Sequence, residues 1–361
     1  MTNWGILGTG MIAKALAISM EESSDSHLKA VASRSIEKAK KFGDRYHCFA
    51  IEGYENLLED KDIEAVYVAT PHTSHFRLAL ASLNKKKSVL CEKPMTINSI
   101  ETMVLIEAAR KNEVLLMEAF MYRTHPQTDK ISEWVENEFK DEPLTIEASF
   151  GFSAQVPEGH RLVNPELGGG SIMDIGCYPM SMSRMIVGSQ NGKPFLNPIG
   201  IEAKGELSSR GIDLNASAEL LFENGSKALI SSAINKELPN SVLISNKEKS
   251  IFIPEPWQCG EQKNRQSKII FKKQGEEDEV KEFKEDKSVF TYEIDHFVDL
   301  LKQNKKQSKK ISNADSHGNM IWLDTWRKKI GVYYSADNPE KRKFSLLGCL
   351  LYTSPSPRDR G

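Results

Sequence analysis

The chain has 361 residues, and its 48 Lys and Arg against 50 Asp and Glu leave a formal net charge of −2. This length exceeds that of one typical domain and predicts two, while the balanced charge argues against a nucleic-acid partner. No apolar stretch is long enough for a membrane span, and the five scattered cysteines contain no Cys-x-x-Cys pair, so we expect a cytoplasmic protein with reduced thiols.

The first third of the chain alternates short apolar segments with amphipathic ones. Strands are predicted at 4–7, 28–32, 65–69, 88–91 and 114–118, and helices at 36–42, 75–83 and 100–110. Strands that alternate with helices form parallel βαβ units, so residues 1–123 are predicted to form a doubly wound α/β domain of the Rossmann type.

A glycine-rich turn follows the first predicted strand directly and fits the G-x-G-x-x-[GA] fingerprint. In such a turn the first glycine allows a tight bend, and the second lets the backbone approach a pyrophosphate at the N-terminus of the next helix. An incidental glycine turn is the alternative. The residues predicted to contact a dinucleotide are Gly8, Thr9, Gly10, Met11 and Ile12.

The end of the second predicted strand indicates which dinucleotide is bound. Enzymes that use NAD usually carry an acidic residue there, whereas this chain has Ser33 and Arg34. A guanidinium can pair with a 2′-phosphate, so NADP is favoured and NAD stays possible. The alternative is that Arg34 is a surface residue of the loop.

The third predicted strand ends at the edge where open α/β sheets bind ligands, so Thr70 and Pro71 are expected to line the cofactor. His72 and His75 have a spacing that could bind a metal ion. No carboxylate or thiol cluster accompanies them, and no metal site is predicted. His75 is assigned to the cofactor site, with capping or packing of the next helix as its alternative role.

The fourth predicted strand ends in Glu92 and Lys93, followed by Pro94. A lysine at this edge directs an ammonium group into the crevice, where it can form a hydrogen bond or transfer a proton near the nicotinamide. A lysine that only extends to solvent is the alternative. Lys93 is therefore predicted to be catalytic, and both residues are predicted to contact the cofactor.

Residues 124–346 show a different pattern, with alternating runs at 144–152, 199–207, 216–222 and 227–234. Such alternation predicts a mostly antiparallel sheet with one open face, in an α+β domain that has helices after the glycines at 168–170 and at 291–301. Apolar positions on an open sheet face favour pairing of two copies, so a homodimer is expected.

The helix after the glycine run carries Asp174 and Tyr178, which are four residues apart and so lie on one helical face. They form a candidate acid/base pair. The alternative is that Asp174 caps the helix and Tyr178 packs in the core. Arg161 is a candidate for binding substrate hydroxyls, or else for pairing with a surface carboxylate.

Several motifs together resemble the glucose–fructose oxidoreductase, inositol dehydrogenase and rhizopine catabolism (Gfo/Idh/MocA) family, over roughly residues 3 to 335. They are the Glu-Lys-Pro at 92–94, the junction at 118–126, and the segments at 161–170 and 174–179. The last three are similar to the branch that contains dimeric dihydrodiol dehydrogenase and NADP-dependent D-xylose dehydrogenase. In this family inositol dehydrogenases commonly have His where this chain has Tyr178.

The resemblance implies an NADP-dependent enzyme that transfers hydride between the nicotinamide and a sugar, polyol or cyclic diol, with Lys93, Tyr178 and Asp174 as catalytic residues. Arg161 and Tyr122, together with Asp174 and Tyr178, are expected to bind substrate. The alternatives are a non-catalytic regulator that binds NAD(P), and a redox-assisted glycosidase with a tightly held cofactor.

Two further segments carry expectations. Residues 246–257 are expected to be a loop that shapes the pocket, although the family usually has glycines where this chain has Asn246, Lys247 and Ser250. Residues 347–361 resemble a translated adapter sequence at the end of a truncated reading frame, or else a natural disordered tail, and are excluded from the fold.

Overall fold

The computed structural model describes residues 1–140, 142–338 and 340; the predicted tail at 347–361 and Cys349 lie outside them. The first sheet has six parallel strands in the order β3-β2-β1-β4-β5-β6. Its strands are β1 Thr2–Leu7, β2 Ser26–Ser33, β3 Phe49–Glu52, β4 Ala65–Val68, β5 Ser88–Glu92 and β6 Leu116–Ala119. Its helices are α1 Met11–Met20, α2 Ile36–Tyr46, α3 Tyr54–Leu58, α4 His72–Asn84 and α5 Ser99–Asn112.

The strand order reverses between β1 and β4, and in open α/β sheets the ligand crevice lies at that point, beyond the carboxyl ends of the strands. Strands β1, β4 and β5 are almost entirely buried because helices cover both faces. Strand β3 was not predicted. It lies at the edge of the sheet, and its first and last residues are exposed, so its sequence lacks the apolar run of the central strands.

The second sheet has eight strands in the order β14-β13-β12-β11-β7-β10-β9-β8. They are β7 Thr145–Gly151, β8 Gly200–Leu207, β9 Asp213–Leu221, β10 Lys227–Ala233, β11 Val242–Ser245, β12 Lys249–Ile253, β13 Gln266–Lys273 and β14 Glu279–Lys284. The accompanying helices are α6 Pro126–Glu138, α7 Cys177–Gln190, α8 Val289–Lys302 and α9 Asn313–Lys329, with a π-helix at Ile172–Gly176 that leads into α7. Only β7 and β10 pair in parallel, which confirms the predicted mostly antiparallel sheet and α/β class.

One face of this sheet packs on helices and the other is open. Along β10 the side chains of Ala228 and Ile230 are buried, whereas Leu229 between them is 45% exposed. Leu207 and Leu221, on β8 and β9, are also exposed. The chain passes from the first sheet to the second through the helical turn Met121–Thr124. We propose that the boundary between units 1–123 and 124–346 lies in this turn.

Helix α8 belongs to the second half of the chain but packs against α1 of the first half. The hydroxyl of Ser19 donates to that of Ser288 at 3.0 Å, and the hydroxyl of Thr291 donates to the carbonyl of Ser19 at 3.1 Å. The carboxylate of Glu22 accepts from the backbone N–H of Ser288 at 2.8 Å. These bonds hold the start of α8 beside the end of α1. Within the described part of the chain, no helix is long and apolar enough to cross a membrane.

Candidate active site

A cleft of about 610 Å³ lies between the two halves, at the carboxyl edge of the parallel sheet. This volume is in the range of small-molecule and cofactor sites. Each half contributes residues to its wall: from the first half Gly10, Met11, Ile12, Ala15, Ala69, Thr70, Pro71, His72, His75, Glu92, Lys93, Ala119 and Met121, and from the second Arg161, Asp174, Tyr178, Gln258, Gln262, Phe290 and Glu293.

The glycine turn before α1 is built to receive an anionic group. Gly8 has a φ of +118°, and a Cβ there would lie 2.6 Å from the carbonyl oxygen of Ala69, so only glycine fits. Gly10 is the N-cap of α1 and no side chain caps its first turn. A Cβ on Gly10 would meet no atom within 4 Å, so the first N–H groups of the helix face open space, where a phosphate can accept from them.

His75 lines the cleft and lies between the loops that follow β4 and β5. The two ring nitrogens of His75 lie 2.7 Å from the carbonyl oxygen of Thr70 and 3.0 Å from that of Pro94, and burial lowers the pKa of the ring to about 4. His75 therefore joins the loop after β4 to the loop that carries Lys93. Thr70 and Pro71 line the cleft directly.

Lys93 extends from the end of β5 towards the second half. Its Nζ donates a hydrogen bond to the backbone carbonyl of Asp174 at 2.6 Å and lies 4.9 Å from the centre of the Tyr178 ring. Glu92, beside it, is buried and accepts from the hydroxyl of Tyr67. Burial raises the pKa of Glu92, although the neighbouring Lys93 acts in the opposite direction.

A proline lies in the first turn of the helix that follows Asp174. Pro179 has no N–H, so it cannot donate to the carbonyl of Ile175, four residues before it, as an α-helix would require. The chain forms a π-helix over Ile172–Gly176, a geometry that often marks functional sites. The predicted helix is thus present, but its first turn is wider than an α-helical turn, and both Asp174 and Tyr178 line the cleft.

The π-helix is anchored from strand β9 by Asp213, whose carboxyl is fully buried. One oxygen of Asp213 accepts from the backbone N–H of Ile172 and from the hydroxyl of Ser171, both at 2.7 Å. Gly170, just before, has a φ of +125°, and a Cβ there would collide with the other oxygen of Asp213. This anchor fixes where the turn begins and therefore where Asp174 lies.

Asp174 is a buried, ionised acceptor. Its Oδ1 accepts from Nη1 of Arg161 at 2.7 Å. Burial alone would raise the pKa of Asp174, but the charges of Lys93 and Arg161 outweigh it and hold the pKa below its ordinary value. Since its charge persists at neutral pH, Asp174 can accept hydrogen bonds from substrate hydroxyls but has no proton to donate.

Tyr178 holds its proton for the opposite reason. Its side chain is 5% exposed, and burial raises the pKa of the hydroxyl well above its ordinary value. The hydroxyl faces the sulfur of Met121 at 3.6 Å, a weak acceptor. The rings of Phe150 and Trp257 pack edge-on against it at centroid distances of 5.3 and 5.8 Å, which fixes the phenol in place.

Five residues predicted for the site are not part of this cleft wall. Gly8 and Thr9 lie just before it, in the turn between β1 and α1. Tyr122 is fully buried behind Tyr178, and its hydroxyl donates to Ser181 at 2.9 Å. Ser33 is buried at the end of β2, and Arg34 follows it on the surface. Their position at the end of β2 is where an adenine ribose is held in this fold.

Several residues of the cleft wall were not predicted from the sequence as site residues. Among them are Ala15, Met121, Gln258, Gln262, Phe290 and Glu293. Glu293 lies in a charged, amphipathic stretch that is typical of a solvated helix face, so no local signal marks it. The histidine His72 was considered only as a metal ligand. It lines the cleft, and burial lowers its pKa to about 3.

The segment at 246–257 reaches the site only at its last residue, where Trp257 packs against Tyr178. Residues 249–253 form strand β12, and Ser245 pairs with Thr145 at the start of β7. Tyr178 packs near the other end of β7, at Phe150. The turn with Asn246 and Lys247 thus lies at the far end of the sheet and does not shape the cleft. Among residues 1–140, 142–338 and 340, no group of three or more His, Cys, Asp or Glu side chains could hold a metal ion.

Comparison with known proteins agrees with this geometry. Residues 2–120 match the family model described as "Oxidoreductase family, NAD-binding Rossmann fold", and residues 128–249 match the "GFO/IDH/MocA C-terminal domain". The trans-1,2-dihydrobenzene-1,2-diol dehydrogenase of Xenopus laevis is 34% identical over 343 residues, which cover 92% of this chain and 99% of that protein. The D-xylose 1-dehydrogenase (NADP(+)) 2 of Haloferax volcanii is 32% identical over 236 residues, 64% of this chain and 69% of that protein.

Among solved structures, the 3-ketoreductase KijD10 of Actinomadura kijaniata, in complex with NADP and TDP-benzene, superimposes with a TM-score of 0.81 at 23% identity. The match covers 92% of this chain and 99% of that one. The aldose-aldose oxidoreductase of Caulobacter crescentus gives a TM-score of 0.79 at 22% identity, over 91% of this chain and 97% of that one. At these identities the structures support the fold.

Proposed function

The chain belongs to the Gfo/Idh/MocA family of oxidoreductases with an NAD-binding Rossmann fold, and we propose that it interconverts a secondary alcohol and a carbonyl in a hydroxylated substrate, with NADP as cofactor. One observation carries the proposal: Lys93, Asp174 and Tyr178 meet in a single cleft whose other end is the uncapped N-terminus of α1. A dinucleotide bound with its phosphates at α1 would have its reactive end beside these three residues.

The residues of the cleft fit such a cofactor. The open space at Gly10 and the donors of α1 suit the pyrophosphate, and Arg34 at the end of β2 suits a 2′-phosphate. When bound, the nicotinamide supplies the hydride chemistry, and the protein supplies orientation and proton transfer.

The three residues have complementary proton and hydrogen-bond roles. The ammonium of Lys93 has three donors and uses one on Asp174 O, so others are available to polarise a substrate oxygen. Tyr178, which keeps its proton, donates it to this oxygen on reduction and is then reprotonated from solvent. On oxidation the same steps run in reverse: Tyr178 first releases its proton to solvent, and its phenolate accepts the proton of the substrate hydroxyl. Asp174, with Arg161, binds a neighbouring hydroxyl.

The substrate class follows from the acceptors and donors at this end of the cleft. A carboxylate, a guanidinium, an ammonium and a phenol within one wall suit two adjacent hydroxyl groups, which sugars, polyols and cyclic trans-diols all carry. The relatives that act on a dihydrodiol and on D-xylose support this shared feature.

The test is to screen aldoses, polyols and cyclic trans-diols with NADP+ and NAD+ for formation of the reduced nicotinamide. We expect turnover with at least one vicinal diol, faster with NADP+, and its loss in Lys93→Met although that variant still binds NADPH. A chain that binds NADPH and turns over none of these substrates would indicate a regulator instead. Hydrolysis of a glycoside without net reduction would indicate a redox-assisted glycosidase.

We further propose that two copies pair through the open face of the second sheet, where Leu221 and Leu229 are exposed on adjacent strands. Light scattering after size exclusion should give twice the chain mass of 40.6 kDa. Leu229→Glu should then give the single chain mass, and a monomeric wild-type protein would refute the pairing.

A further inference from the structure

One acidic side chain in the cleft wall has no role in the chemistry described above. Glu293, on α8, is 1% exposed, and its Oε1 is buried with no hydrogen-bond partner among the described residues. Burying a carboxyl oxygen without a donor is unfavourable by about 1–3 kcal/mol. The fold therefore holds an acceptor in the cleft that nothing in the protein satisfies.

Two other buried acids nearby bind the backbone just after β5. Glu92 accepts from Tyr67 and from the backbone N–H of Lys93. Glu118 accepts from the backbone N–H of Met95 at 2.8 Å through Oε1, while its Oε2 has no partner among the described residues. Glu118 does not line the cleft and Glu293 does, so the unpartnered oxygen of Glu293 is the one beside the ligand site.

The position of Glu293 identifies which part of a ligand it faces. Burial raises the pKa of Glu293 well above its ordinary value, and the carboxylate of Glu92 raises it further. The pKa values of Tyr67 and Tyr178 are raised mainly by burial and by nearer charges. The carboxylate of Glu293 raises both pKa values further. Glu293 therefore lies near Glu92 and Tyr178, with which it shares the wall of the cleft at the reacting end.

Helix α8 holds this acid in a fixed place. Phe290, one turn before Glu293, lines the same cleft, and the bonds of Ser288 and Thr291 to Ser19 and Glu22 hold the start of α8 at the end of α1. A carboxyl oxygen at this point accepts a hydrogen bond, so the ligand group that it serves is a hydrogen-bond donor.

We propose that Glu293 is a binding residue for the nicotinamide half of the dinucleotide, where its free oxygen accepts a hydrogen bond from the carboxamide N–H or from a hydroxyl of the adjoining ribose. This inference rests on the proposed function. A carboxyl keeps an oxygen able to accept in either protonation state, so the role does not depend on its charge.

The test compares wild type with Glu293→Leu, which removes the acceptor but keeps a side chain of similar volume. Isothermal titration would measure Kd for NADP+, for 2′,5′-ADP, which lacks the nicotinamide half, and for the 3-acetylpyridine analogue of NADP+, which lacks the carboxamide N–H. We expect Kd for NADP+ to rise about ten-fold or more and Kd for 2′,5′-ADP to stay the same. The melting temperature should stay level or rise, because an unsatisfied buried acid is removed.

The analogue distinguishes the two donors. If the carboxamide is the donor, wild type should bind the analogue as weakly as Glu293→Leu binds NADP+, with no further loss in the variant. If a ribose hydroxyl is the donor, the variant should lose the same factor with both ligands. Either result supports the proposal.

The matched control is Glu22→Gln, which weakens the bonds between α1 and α8 without touching the cleft; it should lower the melting temperature and leave the ratio of the Kd values for NADP+ and 2′,5′-ADP unchanged. Equal Kd values for NADP+ in wild type and Glu293→Leu would overturn the role of Glu293 while leaving the proposed function intact. A wild-type protein that binds neither NADP+ nor NADPH would overturn the proposed function, and this inference with it.

Discussion

The two halves of the molecule supply the cleft in different ways. In the parallel sheet each contributing residue ends a strand, follows it in the loop or lies on the next helix or helical turn, as Gly10 does after β1 and Lys93 after β5. In the other half none of Asp174, Tyr178 and Glu293 lies on a strand. Asp174 and Tyr178 lie on a helical turn that Asp213 anchors, and Glu293 lies on a helix that packs back against α1.

This difference shows which kind of functional residue a sequence reveals. The backbone geometry of a parallel sheet brings every strand end to one edge, so the order of residues along the chain is enough to group them. In the second half tertiary packing does the grouping. The predictions below test this contrast, in order of the size of the expected effect.

The largest effect is expected from Tyr178→Phe, which removes only the hydroxyl. Turnover should fall by about 10²- to 10⁴-fold because the substrate oxygen loses its proton donor, while NADPH affinity, measured by fluorescence titration, stays within about three-fold. The matched control is Tyr122→Phe, which removes a buried hydroxyl bonded to Ser181. It should reduce the free energy of unfolding by about 1 kcal/mol and leave turnover nearly unchanged. An equal loss of turnover in both variants would show either that the substrate reaches Tyr122 or that the aromatic rings packed around Tyr178 act as a unit.

In the first half, a pair of glycine substitutions should separate binding from folding. Gly10→Val points a side chain into open space, so the protein should fold but Kd for NADP+ should rise about 100-fold, because the valine occupies the place of a phosphate. Gly8→Ala collides with the carbonyl of Ala69 and should mainly lower the melting temperature. Titration calorimetry and thermal unfolding of both variants measure this, and a Gly10→Val protein with wild-type affinity would place the phosphates elsewhere.

The raised pKa of Glu118 leads to a prediction about how the free energy of unfolding depends on pH. Burial raises the pKa of Glu118 to about 7 from an ordinary value of 4.5, so the folded state binds a proton that the unfolded state releases between these values. Its contribution to stability is therefore present below pH 4.5 and is lost as pH rises through 7. Glu118→Gln should match wild type in urea unfolding at pH 4.5 and exceed it by about 3 kcal/mol at pH 8. Parallel pH profiles for the two proteins would contradict the raised pKa.

The smallest effect is expected at Arg34, which is exposed at the end of β2. Arg34→Ala should weaken NADP+ about ten-fold and change Kd for NAD+ by less than about two-fold, because only NADP+ carries the 2′-phosphate. The ratio of the two Kd values is the measurement. An unchanged ratio would mean that another residue selects the cofactor.

Sequence patterns predicted most of the parallel sheet, because βαβ alternation is local and its central strands are continuous apolar runs. They missed β3 and the four strands from β11 to β14. Strands such as Glu279–Lys284 are charged and largely exposed, so little distinguishes their sequence from that of a surface loop. At the site, the patterns grouped Lys93, Asp174 and Tyr178 but could not indicate Glu293, whose burial depends on a contact between distant helices.

The bond from Lys93 to Asp174 joins the two halves of the chain through a backbone acceptor. Every residue carries a carbonyl, so a substitution at 174 keeps this acceptor, whereas loss of the amine at 93 removes the donor. The two ends of the bond therefore differ in their tolerance to substitution: the side chain at 174 can change to suit another substrate while the contact between the halves persists.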